Sequence, residues 1–173
     1  MAEKAASTGF EDDRFDEHED TQEGKFLTFH LGNEDYGIEI RYVTEIIGIQ
    51  KITEVPDMPS FIIGVINLRG KVIPVMDVRS RFRLPTKEFD DRTCIIVVNL
   101  NDTPVGLVVD EVNEVADIPQ QQIEPPPRAS KSKSSRYIQG MGKIGDEVKI
   151  LLDVSRLLYD EEMQQLAAGA QES

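Results

Sequence analysis

The segment from Phe61 to Phe82 can be laid over the segment from Tyr137 to Leu158 without a gap, and this internal repeat limits the possible folds more than any other feature of the chain. At this shift of 76 residues Gly64 falls on Gly140, Val72 on Val148, Asp77 on Asp153 and Val78 on Val154. Leu68, Val75, Met76 and Phe82 meet Ile144, Leu151, Leu152 and Leu158. Upstream, Y-G-I-E-I-R-Y-V-T-E-I from Tyr36 meets V-G-L-V-V-D-E-V-N-E-V from Val105 at a shift of 69 residues, pairing Gly37, Val43 and Glu45 with Gly106, Val112 and Glu114. Glycines and candidate capping aspartates match along with the aliphatic residues, so the chain reads as a duplication. Each half is the size of a small barrel of about five strands, whose closure hides sheet edges.

Local patterns give the elements of each half. Leu27, Phe29 and Leu31 alternate, a turn follows at Gly32, Asn33 and Glu34, and Tyr36, Ile38 and Ile40 alternate again, which predicts a hairpin. Ile40, Val43, Ile46 and Ile47 then recur at spacings of three and four and predict a short helix. V-I-N-L and V-I-P-V-M predict strands around a turn at Arg69, Gly70 and Lys71, and Pro74, having no amide donor, places the second strand at a sheet edge or a bulge. Asp77 is suited to cap a short helix through V-R-S-R-F. Further strands are expected over 93–100, 105–109 and 112–118, and a last hairpin over 137–144 and 148–152. A C-terminal helix is expected to bury Val154, Leu157, Leu158 and Met163. The fold class is therefore mainly β: two pseudo-repeated five-stranded, SH3-like barrel subdomains with short helices and a C-terminal helix. The lobes span roughly 26–84 and 93–158, with strand exchange between them possible.

Outside this frame lie two charged segments. Residues 1–24 carry Glu11, Asp12, Asp13, Asp16, Glu17, Glu19, Asp20 and Glu23 with little to bury, the composition of a disordered acidic tail. The stretch from Pro125 to Arg136 is rich in proline, then serine, and reads as a mobile basic loop with Arg128, Lys131, Lys133 and Arg136. Residues 163–173 are expected to form the helix end and a tail.

The sequence offers no constellation for catalysis. Its net charge of −13 disfavours nucleic acid and anionic lipid as partners. No apolar run approaches the roughly 20 residues of a membrane span, and no signal peptide pattern opens the chain, so a cytoplasmic location is expected. The lone Cys94 sits in T-C-I-I-V-V and reads as core. No metal ligands cluster, and His18 and His30 read as surface residues, so neither a catalytic residue, a metal nor a cofactor is expected. Gly140 to Gly145 spells G-x-G-x-x-G, but a strand follows where a dinucleotide site needs a helix, so Gly145 and Asp146 are expected to turn a hairpin instead.

The run F-I-I-G-V-I-N-L-R-G-K-V-I-P-V-M-D-V-R-S-R-F resembles the signature of the CheW family of chemotaxis coupling proteins, and the likeness extends from Phe26 through Y-I-Q-G-M-G-K-I-G-D-E-V-K-I-L-L-D-V, giving a CheW-like domain over residues 25–162. The resemblance implies two barrel subdomains and a non-catalytic adaptor, monomeric when free. Its implied partners are the cytoplasmic tips of methyl-accepting chemoreceptors and the regulatory domain of the CheA histidine kinase, in arrays at the inner membrane. An adaptor of another chemosensory pathway, such as surface motility, is the alternative. The resemblance further implies that Glu45, on the helix after the first hairpin, and Arg69, in the N-L-R-G turn, form a pair near the partner surface. It also implies an apolar receptor groove involving Ile40, Val43, Gly64, Val105, Gly106 and Val115.

Overall fold

The computed structural model describes residues 22–126 and 136–158. Most of the acidic segment, most of the basic loop and the chain from residue 159, with Met163, lie outside the described residues. The strands are β1 (Lys25–Leu31), β2 (Glu34–Glu39), β3 (Val43–Gly48), β4 (Ile62–Leu68), β5 (Lys71–Asp77), β6 (Cys94–Leu100), β7 (Thr103–Val109), β8 (Glu111–Asp117), β9 (Ile123–Glu124), β10 (Ile138–Ile144) and β11 (Glu147–Leu152). Two short helices, α1 (Val78–Arg81) and α2 (Val154–Leu158), follow β5 and β11.

The strands form two sheets, sheet A in the order β8-β1-β2-β11-β10-β9 and sheet B in the order β3-β6-β7-β5-β4. The registers reproduce the repeat pair by pair. Phe26 faces Glu39 in β1–β2 as Ile95 faces Val108 in β6–β7, and Gly64 faces Val75 as Gly140 faces Leu151, each beside a bulge. Each sheet nevertheless draws on both halves of the chain. The β1–β2 hairpin joins β8, β10 and β11, and the equivalent β6–β7 hairpin joins β3, β4 and β5. Each exchanged hairpin is joined on both sides, by a short parallel ladder, Val75–Asp77 against Gly106–Val108 or Ile150–Leu151 against Tyr36–Gly37, and by an antiparallel one, β3 with β6 or β1 with β8.

Both sheets curl until the chain itself joins their edges. Beyond β3, Thr53 exchanges two backbone hydrogen bonds of 2.8 and 2.9 Å with Val65 of β4, and beyond β8, β9 pairs with β10. Leu27, Phe29, Leu31 and Ile38 lie in the main core with Ile96, Val98, Val105 and Leu107. Smaller apolar clusters fill the two barrels, around Ile66, Ile73, Val75, Ile95, Val97 and Val108 in one and around Phe26, Ala116, Ile118 and Leu151 in the other.

Both capping aspartates act as expected: Asp77 accepts from the Arg79 amide at 3.1 Å and Asp153 from the Arg156 amide at 3.1 Å. Gly145, at φ +59°, turns the last hairpin.

Three local expectations are corrected. The helix predicted from Ile40 to Ile47 is a 3-10 turn, Ile40–Tyr42, followed by strand β3. Val43, Thr44, Ile46 and Ile47 are β-branched, and their pairing with β6 suits such side chains better than a helix does. Of the two places expected for the Pro74 strand the edge is wrong, since β5 lies between β4 and β7, while the bulge is found, with the β4–β5 register shifting between Ile62 and Gly64; Pro74 sits one residue ahead of the β7 ladder, which begins at Val75. Cys94 is half-buried rather than core, because it opens β6, where its thiol lies 3.2 Å from the Arg92 carbonyl oxygen.

Gly64 shows how tightly the seam of sheet B is drawn. Its φ is +151°, and a Cβ there would overlap the Thr53 carbonyl oxygen. At Gly140 the nearest obstacle is a methyl group of Ile123. Gly64→Ala is therefore expected to lose about 2 kcal/mol or more in urea unfolding, through strain and clash, and Gly140→Ala less.

Candidate partner-docking site

The hairpin joining β4 to β5 turns on Arg69 and Gly70, both with positive φ (+52° and +84°). Such a turn favours glycine, asparagine or aspartate, and the equivalent position in the second half is Gly145. An arginine held there in the left-handed region points to a role for its side chain. The Asn67 side chain accepts a 2.8 Å bond from the Gly70 amide and steadies the turn. From it the Arg69 guanidinium donates to the Glu45 carboxylate, so the two expected partners are brought together. They meet across the seam of sheet B, because β3 and β4 are its opposite edges. Glu45 is reached from a strand, not from the expected helix. Arg69 is largely exposed, so the pair adds little to stability.

The groove residues are distributed differently. Glu45, Val97, Gly106, Val75 and Gly64 form one continuous row across sheet B, and Val43, Val98 and Val105 form the next. Val105 is buried in the main core, and Gly64 and Gly106 are buried as well. Ile40 and Val43 are half-buried against that core. Val115 stands apart on β8 in sheet A and is exposed. Beside Gly64 lies an open cleft lined by Glu54, Val55, Pro56, Ile62 and Ile63.

Exposed aliphatic residues reveal a pattern that alternation alone does not. Ile46 (43% exposed) is the repeat equivalent of Val115 (51%), and Val72 (66%) is the equivalent of Val148 (47%). Each lobe thus presents the same two apolar positions to solvent. The hairpin tips beside them differ in charge: Arg69 and Lys71 precede Val72, whereas Asp146 and Glu147 precede Val148.

Charged residues that sequence reasoning missed hold the lobes in place. Arg79 of α1 donates through Nε and Nη2 to the two oxygens of Asp110, both at 2.7 Å, and through Nη1 to the Pro85 carbonyl at 2.6 Å. The Gly32 amide adds a 2.9 Å bond to Asp110. Burial pushes the Asp110 carboxyl up, but the Arg79 and Gly32 hydrogen bonds and the charges of Arg79 and Lys87 outweigh it and hold it below the usual carboxylate range. Arg81 is buried between the Phe61 and Tyr137 rings, 4.1 and 4.6 Å from their centres, and its Nη2 donates to the Leu157 carbonyl at 3.1 Å. Phe61 and Tyr137 are repeat equivalents, as are Arg81 and Leu157, so this guanidinium lies at the pseudo-twofold centre. The available signal was the places where the repeat exchanges a charge for an apolar or opposite residue: Arg81 with Leu157, Asp110 with Arg41.

Residues 25–162 match the CheW-like domain family. The chain belongs to the CheW family. The chemotaxis protein CheW of Klebsiella aerogenes is 41% identical over 139 residues, spanning 80% of this chain and 84% of that protein. CheW of Bacillus subtilis is 35% identical over 140 residues, spanning 81% and 90%. The crystal structure of the scaffolding protein TtCheW from Thermoanaerobacter tengcongensis has a TM-score of 0.73 at 35% identity, spanning 80% of this chain and 90% of that one. As in that relative, the CheW fold here is mainly β.

The folded state holds Asp110 ionised below the pH at which the unfolded chain protonates it. The stabilisation is therefore complete above the unfolded value of about 3.9 and is lost as pH falls through the lower folded value. Asp110→Asn is expected to cost about 3 kcal/mol at neutral pH by leaving Arg79 without its counter-ion. In chemical unfolding at stepped pH, the gap from wild type should narrow below about pH 4.

Proposed function

We propose that the chain is a non-catalytic chemotaxis adaptor that links chemoreceptor tips to the CheA histidine kinase. The observation that carries this reading is the two-ended surface: equivalent exposed aliphatic pairs, Ile46 with Val72 and Val115 with Val148, beside hairpin tips of opposite charge. A connector must grip more than one protein at once. A barrel partner of similar build, such as the CheW-like regulatory domain of the kinase, meets aliphatic contacts ringed by charges, an arrangement that fixes register and speeds encounter.

On this reading the Glu45–Arg69 pair forms part of the kinase-facing end, with Arg69 free to exchange its bond to Glu45 for one to a partner carboxylate. The receptor end combines the apolar strip at Ile40 and Val43, with the cleft beside Gly64, and a separate contact at Val115. It accepts one face of a helical hairpin. Val105, Gly64 and Gly106 shape this strip from beneath, since they are buried. The work of such a protein is positional and uses no substrate, metal or cofactor. It belongs in the cytoplasm, recruited to receptor arrays at the inner membrane. Among the described residues no helix is long and apolar enough to cross a membrane.

Arg69→Ala and Glu45→Lys are expected to weaken capture of the kinase regulatory domain at least tenfold in a titration while the thermal transition moves little. Full binding and full kinase activation in both variants would remove the pair from the docking surface. Val115→Asp is expected to weaken receptor binding and spare the kinase contact, as read by co-sedimentation with receptor-containing membranes.

A further inference from the structure

The two barrels come from one repeat but are filled differently. In sheet B the inner face carries Ile66, Ile73, Val75, Ile95, Val97 and Val108, all buried. The equivalent positions in sheet A for four of these are Gly142, Lys149, Leu151 and Phe26, and Thr28 takes the place of Val97. One end of this barrel is therefore polar. Lys149 is buried, and its amine reaches Asp35 at 2.7 Å and Glu147 at 2.8 Å. The Asp35 carboxylate also accepts from His30 Nδ1 at 2.8 Å and from the Asn113 amide at 3.4 Å. The Thr28 hydroxyl bonds to the Glu114 carbonyl at 2.7 Å. Sheet B has Ile73 where Lys149 stands and Pro104 where Asp35 stands. The ladder to the exchanged hairpin also differs, with two register pairs in β2–β11 against three in β5–β7.

We propose that the sheet A lobe is the compliant half of the protein, opening locally between β2 and β11 around the Lys149–Asp35 contact, while the sheet B lobe stays closed. The free energy of a local opening rises with the apolar surface it exposes. Parting β5 from β7 uncovers mainly apolar side chains, Val75, Met76, Leu107 and Val108, with no buried ion pair, among the described residues, between the two strands. Parting β11 from β2 returns an amine and a carboxylate to water, and their recovered hydration offsets much of the broken contact. The consequence is an asymmetric connector. Its basic end, at Arg69 and Val72, meets partners as a preformed surface, and its acidic end, at Glu147 and Val148, adjusts its strands to what it binds.

The test is hydrogen exchange of the full chain without partners, with rates corrected for local sequence. Amides of Gly142 to Leu151 should exchange at least tenfold faster than their equivalents from Ile66 to Val75. The double substitution Lys149→Ile with Asp35→Val, which gives this barrel an apolar filling, should narrow the gap. Equal protection of the two segments in the wild-type chain, or faster exchange in sheet B, would overturn the proposal whether or not the double variant folds. Unaltered exchange in a folded double variant would equally overturn it, by removing the contact as the opening point.

Discussion

Four ladders between the halves carry the architecture, the parallel pairings of β5 with β7 and β11 with β2 and the antiparallel pairings of β3 with β6 and β1 with β8, because through them each half of the chain receives a hairpin from the other. Parallel pairing requires a long connection between the paired strands, and here the rest of the repeat supplies it. Once the hairpins have crossed, Leu27 and Phe29 of one and Ile96 and Val98 of the other share the main core. Arg81 then sits at the crossing between Phe61 and Tyr137, where a second arginine at the position of Leu157 would bring two buried cations together. The symmetry has to be broken at its centre, and the sequence breaks it there.

Departures from the repeat also mark the surface. The scaffold positions agree between halves: the bulges, the capping aspartates and the glycines opposite Val75 and Leu151. The differences are Arg69 against Gly145 and Lys71 against Glu147 outside, and Lys149 against Ile73 inside. Agreement reports what the fold requires of each half. Disagreement marks where the two lobes differ in surface charge and in filling.

Much of this was legible in the chain. Hairpins declare themselves through alternation and turn residues within a few positions, so β1–β2 and β10–β11 were found together with their turns. The Glu45–Arg69 pair rested on family likeness, and the geometry joins it. The stretch from Ile40 to Ile47 misled because its spacing fits a helical face, while its β-branched residues and the open edge of β6 favour a strand. Which sheet a hairpin joins was beyond local periodicity, since Tyr36 alternates in the same way whether its neighbour is Ile150 or a strand of its own half. Arg79 and Asp110 were missed for a similar reason: they are 31 residues apart, and each is unremarked in its own surroundings. The same holds for Val105 and Gly106, whose burial follows from the crossing rather than from their neighbours in sequence.

The exchange of hairpins has a consequence for ancestry and for assembly during synthesis. A polypeptide carrying one repeat would lack the hairpin its sheet needs and could complete itself only by trading with a twin, as domain-swapped homodimers do. Joining two such units end to end turns that encounter into an intramolecular event with no dependence on concentration. It also means that sheet B, built from β3 to β7, can close once β7 has emerged, whereas the first hairpin waits for β8 and finally β11 before sheet A is finished.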